Sequence, residues 1–155
     1  MNYIQRFATL ESKVLELGAG NGRYSIQLAK EGMYVSVVEL VESNFEVLRE
    51  KSIGIDNIKL YQGDATNLDY LSDNSFDVTL SLGPLYHLYE PEDIHKAIDE
   101  AIRVTKPGGV MLFAFHSVFG IMYANYFYGN WSDGQNEYFT KDYKVKHFKE
   151  QVFTG

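Results

Sequence analysis

The sequence predicts an α/β fold: a doubly wound, mainly parallel sheet with helices on both faces. Three observations predict it. Short apolar runs rich in β-branched residues recur along the 155-residue chain. Most of them are separated by helical patterns, and strands without polar alternation belong in a sheet covered on both sides. The first run passes directly into a turn with glycine at alternate positions, Gly18, Gly20 and Gly22.

The elements follow in order. Residues 1–12 are a short lead-in. Lys13–Leu17 is the first strand, and a helix is expected from Asn21 to Lys30, ended by Glu31-Gly32. Its inner face carries Tyr24, Ile26, Leu28 and Ala29. Tyr34–Glu39 is the second strand. Ser43 and Glu46 have capping-box spacing, which predicts a helix start at Ser43, with Phe45 and Leu48 inward. Ile58–Gln62 is the third strand and Phe76–Leu82 the fourth. Pro91 opens a helix to about Thr105 with Ile94, Ala97, Ile98, Ala101 and Ile102 as its buried stripe. Lys106-Pro107-Gly108-Gly109 is expected to break that helix ahead of a fifth strand, Val110–Phe115.

The remainder, 117–155, holds 11 of the 23 aromatic residues and loses the strand–helix rhythm. It reads as an aromatic-rich extension of the same domain as residues 1–116, a lid or a cover for the sheet, with a helix over 121–128. Tyr123, Tyr126, Tyr128 and Trp131 are its candidate pocket walls.

Bulk properties narrow the function classes. A net charge of −7 and a pI near 5.0 argue against a dedicated nucleic-acid binder. The absence of cysteine removes disulfides and thiolate metal sites, and no metal centre is expected. The first residues lack a signal-peptide core, and no run is long enough to span a membrane, so a cytoplasmic location is expected.

The chemistry is expected at the carboxyl ends of the strands, where such sheets bind ligands. The glycine turn lets a ligand approach backbone N–H groups, and a helix start adds a positive dipole end. Glu39 ends the second strand nineteen residues after Gly20, an offset suited to ribose hydroxyls. Gly63-Asp64-Ala65 ends the third strand, and Leu82-Gly83-Pro84 follows the fourth. Glu16, two residues before the first glycine, argues against a nicotinamide site, as does Arg23 where GxGxxG would require a third glycine.

With these motifs in order, the chain resembles the class I S-adenosylmethionine-dependent methyltransferases over residues 10–116. Val14–Gly22 is similar to that family's first motif, Glu39 to its second, Gly63-Asp64-Ala65 to its third, and Phe76–Leu88 to its fourth. Arg103–Gly109 is similar to its signature before the fifth strand. The resemblance implies a Rossmann-like methyltransferase fold and S-adenosylmethionine as cofactor. It implies that Gly18, Ala19 and Gly20 meet the methionine part near Glu16, and that Glu39 holds the ribose. It also implies that Asp64 and Ala65 flank the adenine, Leu40 covers one face of it, and Leu82 lies along the cofactor from the other side. The acceptor would be a small molecule. His87 and His116 are candidate bases, with Tyr86 as an acceptor-binding neighbour.

The family usually continues past the fifth strand, so the sheet is expected to lack its last strands and the chain to be a trimmed portion of a longer protein. An apolar fifth strand without a neighbour would be an exposed edge, covered by the tail or by a homodimer partner. Two rivals stand beside transfer: a cofactor-binding module without activity, and a nicotinamide-dependent oxidoreductase.

Overall fold

The computed structural model describes residues 3–115 together with Ser117 and Gly120. The chain forms two compact units, Met1–Phe115 and His116–Gly155, and the sheet belongs to the first. His116, the expected helix over 121–128, Tyr123, Tyr126, Tyr128 and Trp131 lie outside the described residues.

Five strands form one all-parallel sheet: β1 (Lys13–Leu17), β2 (Tyr34–Glu39), β3 (Ile58–Gln62), β4 (Phe76–Ser81) and β5 (Thr105–Phe113). Their spatial order is β3-β2-β1-β4-β5. The order reverses beside β1, which lies between β2 and β4. Three helices connect them: α1 (Ser25–Lys30), α2 (Glu42–Lys51) and α3 (Pro91–Val104).

Each face of the sheet buries its own apolar cluster, as unbroken apolar strands require. On one side Val14, Val35, Val37, Val78 and Leu80 pack with Leu28, Ala29 and Leu48 of α1 and α2. On the other, Leu15, Leu17, Val38 and Phe76 pack with Ala97, Ala101 and Val104 of α3 and with Leu68 and Leu71 of the β3–β4 connection. The Thr79 and Thr105 hydroxyls, both buried, bond each other at 2.6 Å, and Thr105 also donates to the Ala101 carbonyl.

Several boundaries differ from the sequence reading. α1 starts at Ser25, not Asn21, because the glycine turn occupies the intervening residues. α2 starts at Glu42 with Val41 as its N-cap, and no capping box forms at Ser43. Glu39 receives the Val41 N–H at 2.9 Å, which turns the chain into the helix earlier, and Glu46 pairs with Arg49 instead. β4 stops at Ser81. Lys106–Gly109 does not precede the fifth strand but lies within it. Thr105 pairs with Phe76 and Val110 with Val78, so these four residues are absorbed as an irregularity in β5, with Gly108 at φ +80° and Lys106 bound to Asp77 at 2.6 Å. Ile102 is half exposed because the buried stripe runs through Ala97, Ala101 and Val104. It sits one residue past Ala101, about 100° round the helix.

Arg103 anchors the β3–β4 connection to α3. It donates to the carbonyls of Leu68 and Leu71, both at 2.9 Å, and pairs with Glu100 and Asp73. Glu100 in turn accepts the Leu68 N–H at 2.6 Å, and Arg103 holds the Glu100 carboxyl below its ordinary range. Arg103→Ala would strip two carbonyls and two carboxylates of their donor together, so we expect a loss of about 3 kcal/mol in urea unfolding, with Arg103→Lys recovering only part of it. An unchanged midpoint would mean that the connection holds itself.

Candidate functional site

The strand reversal leaves a cleft of about 390 Å³ at the carboxyl ends of β1 and β4. The glycine turn forms one wall through Gly18, Ala19, Gly20 and Asn21. Leu82, Gly83 and Tyr86 form the opposite wall, and Glu16, Arg23, Tyr24 and Asn44 complete the lining. A second groove, of about 320 Å³, lies towards the amino ends of β1–β3 and includes Lys13, Tyr34 and Tyr70. The cleft at the reversal is the one placed where open parallel sheets take ligands.

Two glycines have separate reasons to be glycine. Gly18 sits at φ +65°, and a Cβ on it would lie 2.6 Å from Cγ of Pro84. The two walls therefore touch at that point, and only glycine lets them. Gly20 sits at φ +56°, and a Cβ there would meet nothing within 4 Å. Gly20 presents bare backbone to open space in the cleft, which is how a backbone receives a close ligand.

Two buried carboxylates hold the turn. Glu39, at the end of β2 and 4% exposed, accepts the Gly20 N–H at 2.6 Å and the Val41 N–H at 2.9 Å. Glu16, on β1 and 2% exposed, accepts the Ser25 N–H at 2.9 Å and a bond from the Ser25 hydroxyl. One N–H at the start of α1 is thus taken by an acid of the chain itself. Burial pushes the Glu16 carboxyl from 4.5 up to about 7, against the Ser25 bonds that lower it.

The structure brings Glu16, Gly18, Ala19, Gly20, Leu82 and Tyr86 together in the cleft. Glu39 borders it through Gly20. Leu40, 60% exposed, stands beyond it at the end of β2, and Asp64 and Ala65 lie at the end of β3, outside its lining. Asp64 accepts the Thr66 N–H at 2.8 Å, and Ala65 is buried. His87 is exposed and outside the lining, although its ring lies 4.7 Å from that of Tyr86. Sequence reasoning misses Asn21, Arg23, Tyr24 and Asn44 as site residues. The first three adjoin the glycine turn in sequence, but Asn44 reaches the cleft from α2 with no sequence signal.

The raised Glu16 pKa carries a sign. The folded state holds the proton that the unfolded chain releases near 4.5, so stability declines as pH rises towards about 7. Glu16→Gln keeps an acceptor but cannot ionise. Relative to the wild type, its unfolding free energy is expected to gain up to about 3 kcal/mol between pH ~5 and ~8. Parallel pH profiles for the two proteins would remove Glu16 as the titrating group.

Comparison with known proteins agrees with this geometry. The family described as methyltransferase domain matches residues 14–109, which runs from β1 into β5. The demethylmenaquinone methyltransferase of Clavibacter sepedonicus is 41% identical over 98 residues, 63% of this chain and 38% of that protein. Its namesake from Staphylococcus aureus (strain JH9) is 37% identical over 125 residues, 75% of this chain and 50% of that protein. The chain thus spans half or less of the length of these relatives. Among solved structures, the YcgJ protein of Bacillus subtilis superposes with a TM-score of 0.64 at 26% identity, covering 72% of this chain and 47% of that one. With its all-parallel sheet, its glycine turn and a match over more than half of its length, this chain belongs to the methyltransferase domain family.

Proposed function

We propose that this chain binds S-adenosylmethionine in the cleft at the strand reversal and serves methyl transfer to a small-molecule acceptor. One observation carries the reading: Gly20 offers bare backbone to open space between two walls, with a buried acid on either side of the turn. A phosphate-bearing ligand suits this cleft poorly, because Glu16 fills the start of α1. A ligand ending in an amino acid suits it better, since Glu16 can face an ammonium. The ribose falls to Glu39, whose two oxygens keep lone pairs beyond the two N–H groups they accept. Asp64, Ala65 and Leu40 extend the site along the ends of β2 and β3 towards the adenine.

When bound, S-adenosylmethionine supplies a methyl group already activated by its sulfonium. The chain's own residues then have to align an acceptor with that methyl and exclude water, which lowers a barrier by roughly 7–11 kcal/mol at best. Tyr86 lines the cleft beside Leu82 and Gly83 of the fourth motif, and it is the candidate for orienting the acceptor. His87 beside it is the candidate base for acceptors that need one. The relatives' name makes demethylmenaquinone the first acceptor to test. An association through the β5 edge is proposed as well.

Calorimetric titration with S-adenosylhomocysteine and with NAD tests the reading. Binding of the first and not the second is expected, and the reverse result overturns it. Gly20→Ala, which puts a methyl group into the open space, should weaken S-adenosylhomocysteine at least about tenfold while costing about 1 kcal/mol of stability for its φ. With an active acceptor, His87→Ala should lower turnover and leave S-adenosylhomocysteine affinity unchanged; unaltered turnover would take His87 out of the mechanism.

A further inference from the structure

We propose that Tyr70 is a positioning residue for the adenine end of the site: its ring braces the Gly63-Asp64 turn and so fixes the carboxylate that meets the base. The inference rests on the S-adenosylmethionine reading and deepens it. The ring reaches the carboxyl end of β3 at two points. It stacks on Tyr61 with centroids 5.3 Å apart and planes at 28°. Its hydroxyl lies so close to Gly63 that a Cβ on Gly63 would collide with it, and the nearest atoms to that position all belong to Tyr70. Gly63 donates its N–H to the Glu39 carbonyl at 3.1 Å. Asp64 follows directly, with Oδ1 taking the Thr66 N–H at 2.8 Å and its other oxygen without a hydrogen bond among the described residues.

The ring is aimed from outside β3. Leu68 and Leu71 close a turn with Asp69 and Tyr70 at its corner, the Leu71 N–H bonding the Leu68 carbonyl at 2.7 Å. Arg103 of α3 donates to the carbonyls of both Leu68 and Leu71, and Glu100 accepts the Leu68 N–H. The corner is therefore held from α3, although Tyr70 itself is 47% exposed. Its hydroxyl makes no hydrogen bond among the described residues, so the brace is the ring and its reach. Stacked rings hold a preferred geometry beyond the area they bury. Burial raises the Tyr70 phenol above its ordinary value, and the Asp64 carboxylate adds to the rise, so the two groups are neighbours. A hydrogen bond between carboxylate and base depends steeply on distance and angle, so a turn that drifts without its brace loses it.

The test measures base discrimination on the full chain by calorimetry. S-Adenosylhomocysteine carries the adenine amino group, and S-inosylhomocysteine has a carbonyl in its place. The wild type should favour the first about tenfold. Tyr70→Ala should cut that preference to within about threefold by weakening S-adenosylhomocysteine and sparing the inosine ligand. Tyr70→Phe, which keeps the stack, should restore most of it. Gly63→Ala displaces the ring instead of removing it and should lower the preference in the same way; it decides the question if Tyr70→Ala does not fold. An intact preference in the alanine variants, or equal weakening of both ligands, leaves Tyr70 a structural residue and overturns the inference while the cofactor reading stands. A wild type that binds both ligands alike overturns the adenine role of Asp64 and this inference with it. A wild type that binds neither overturns the S-adenosylmethionine reading itself.

Discussion

The glycine turn keeps its shape because two buried carboxylates pull on it from neighbouring strands, and the rest of the site depends on that. Glu39 takes the Gly20 N–H and Glu16 takes the Ser25 N–H, while the Gly18 N–H bonds the Val38 carbonyl at 2.8 Å. A turn of this kind, with glycines in the left-handed region, has few contacts of its own to order it. Here its order comes from β1 and β2. The cost is the burial of two acids close together, visible in the raised Glu16 carboxyl, to which Glu39 adds a repulsive share. Satisfied hydrogen bonds make that burial tolerable.

The same arrangement underlies the ligand proposed for the cleft. In a phosphate-binding turn, the backbone N–H groups at the helix start are left for the ligand. In this chain one of them is spent on Glu16, and α1 is short. The groups that line the cleft beside it are the open backbone at Gly20, the Arg23 side chain, and the rings and amide of Tyr24, Tyr86 and Asn44. They suit a ligand with mixed charge and a nucleoside body.

Much of this is legible in the sequence, for a physical reason. Strands buried on both faces must be largely apolar, so β1 and β2 stand out at their observed bounds; β3, a partly buried edge strand, stands out through Ile58, Leu60 and Tyr61, and the parallel sheet follows. The residues at their carboxyl ends can then be placed together by topology alone. Local competition is harder to read. Ser43 and Glu46 carry the pattern of a cap, yet the buried Glu39 carboxylate claims Val41 and starts the helix early. Lys106–Gly109 carries the pattern of a break, yet the pairing of Thr105 with Phe76 and the Asp77–Lys106 bond draw it into β5. Asn44 is invisible because its place in the cleft depends on how α2 crosses the sheet. Sequence proximity puts His87 in the site, but the short 3-10 turn Pro84–Tyr86 sends Tyr86 inward and leaves His87 outside the lining.

The contact between Gly18 and Pro84 has a consequence for the order in which the molecule assembles. The two residues are far apart in the chain, and they meet only when β4 has docked beside β1. Docking of that pair closes a long loop containing β2, α2 and β3, a step whose entropy must be met before its contacts return anything. The cleft therefore cannot form from β1 and its glycine turn alone; its opposite wall arrives only with β4.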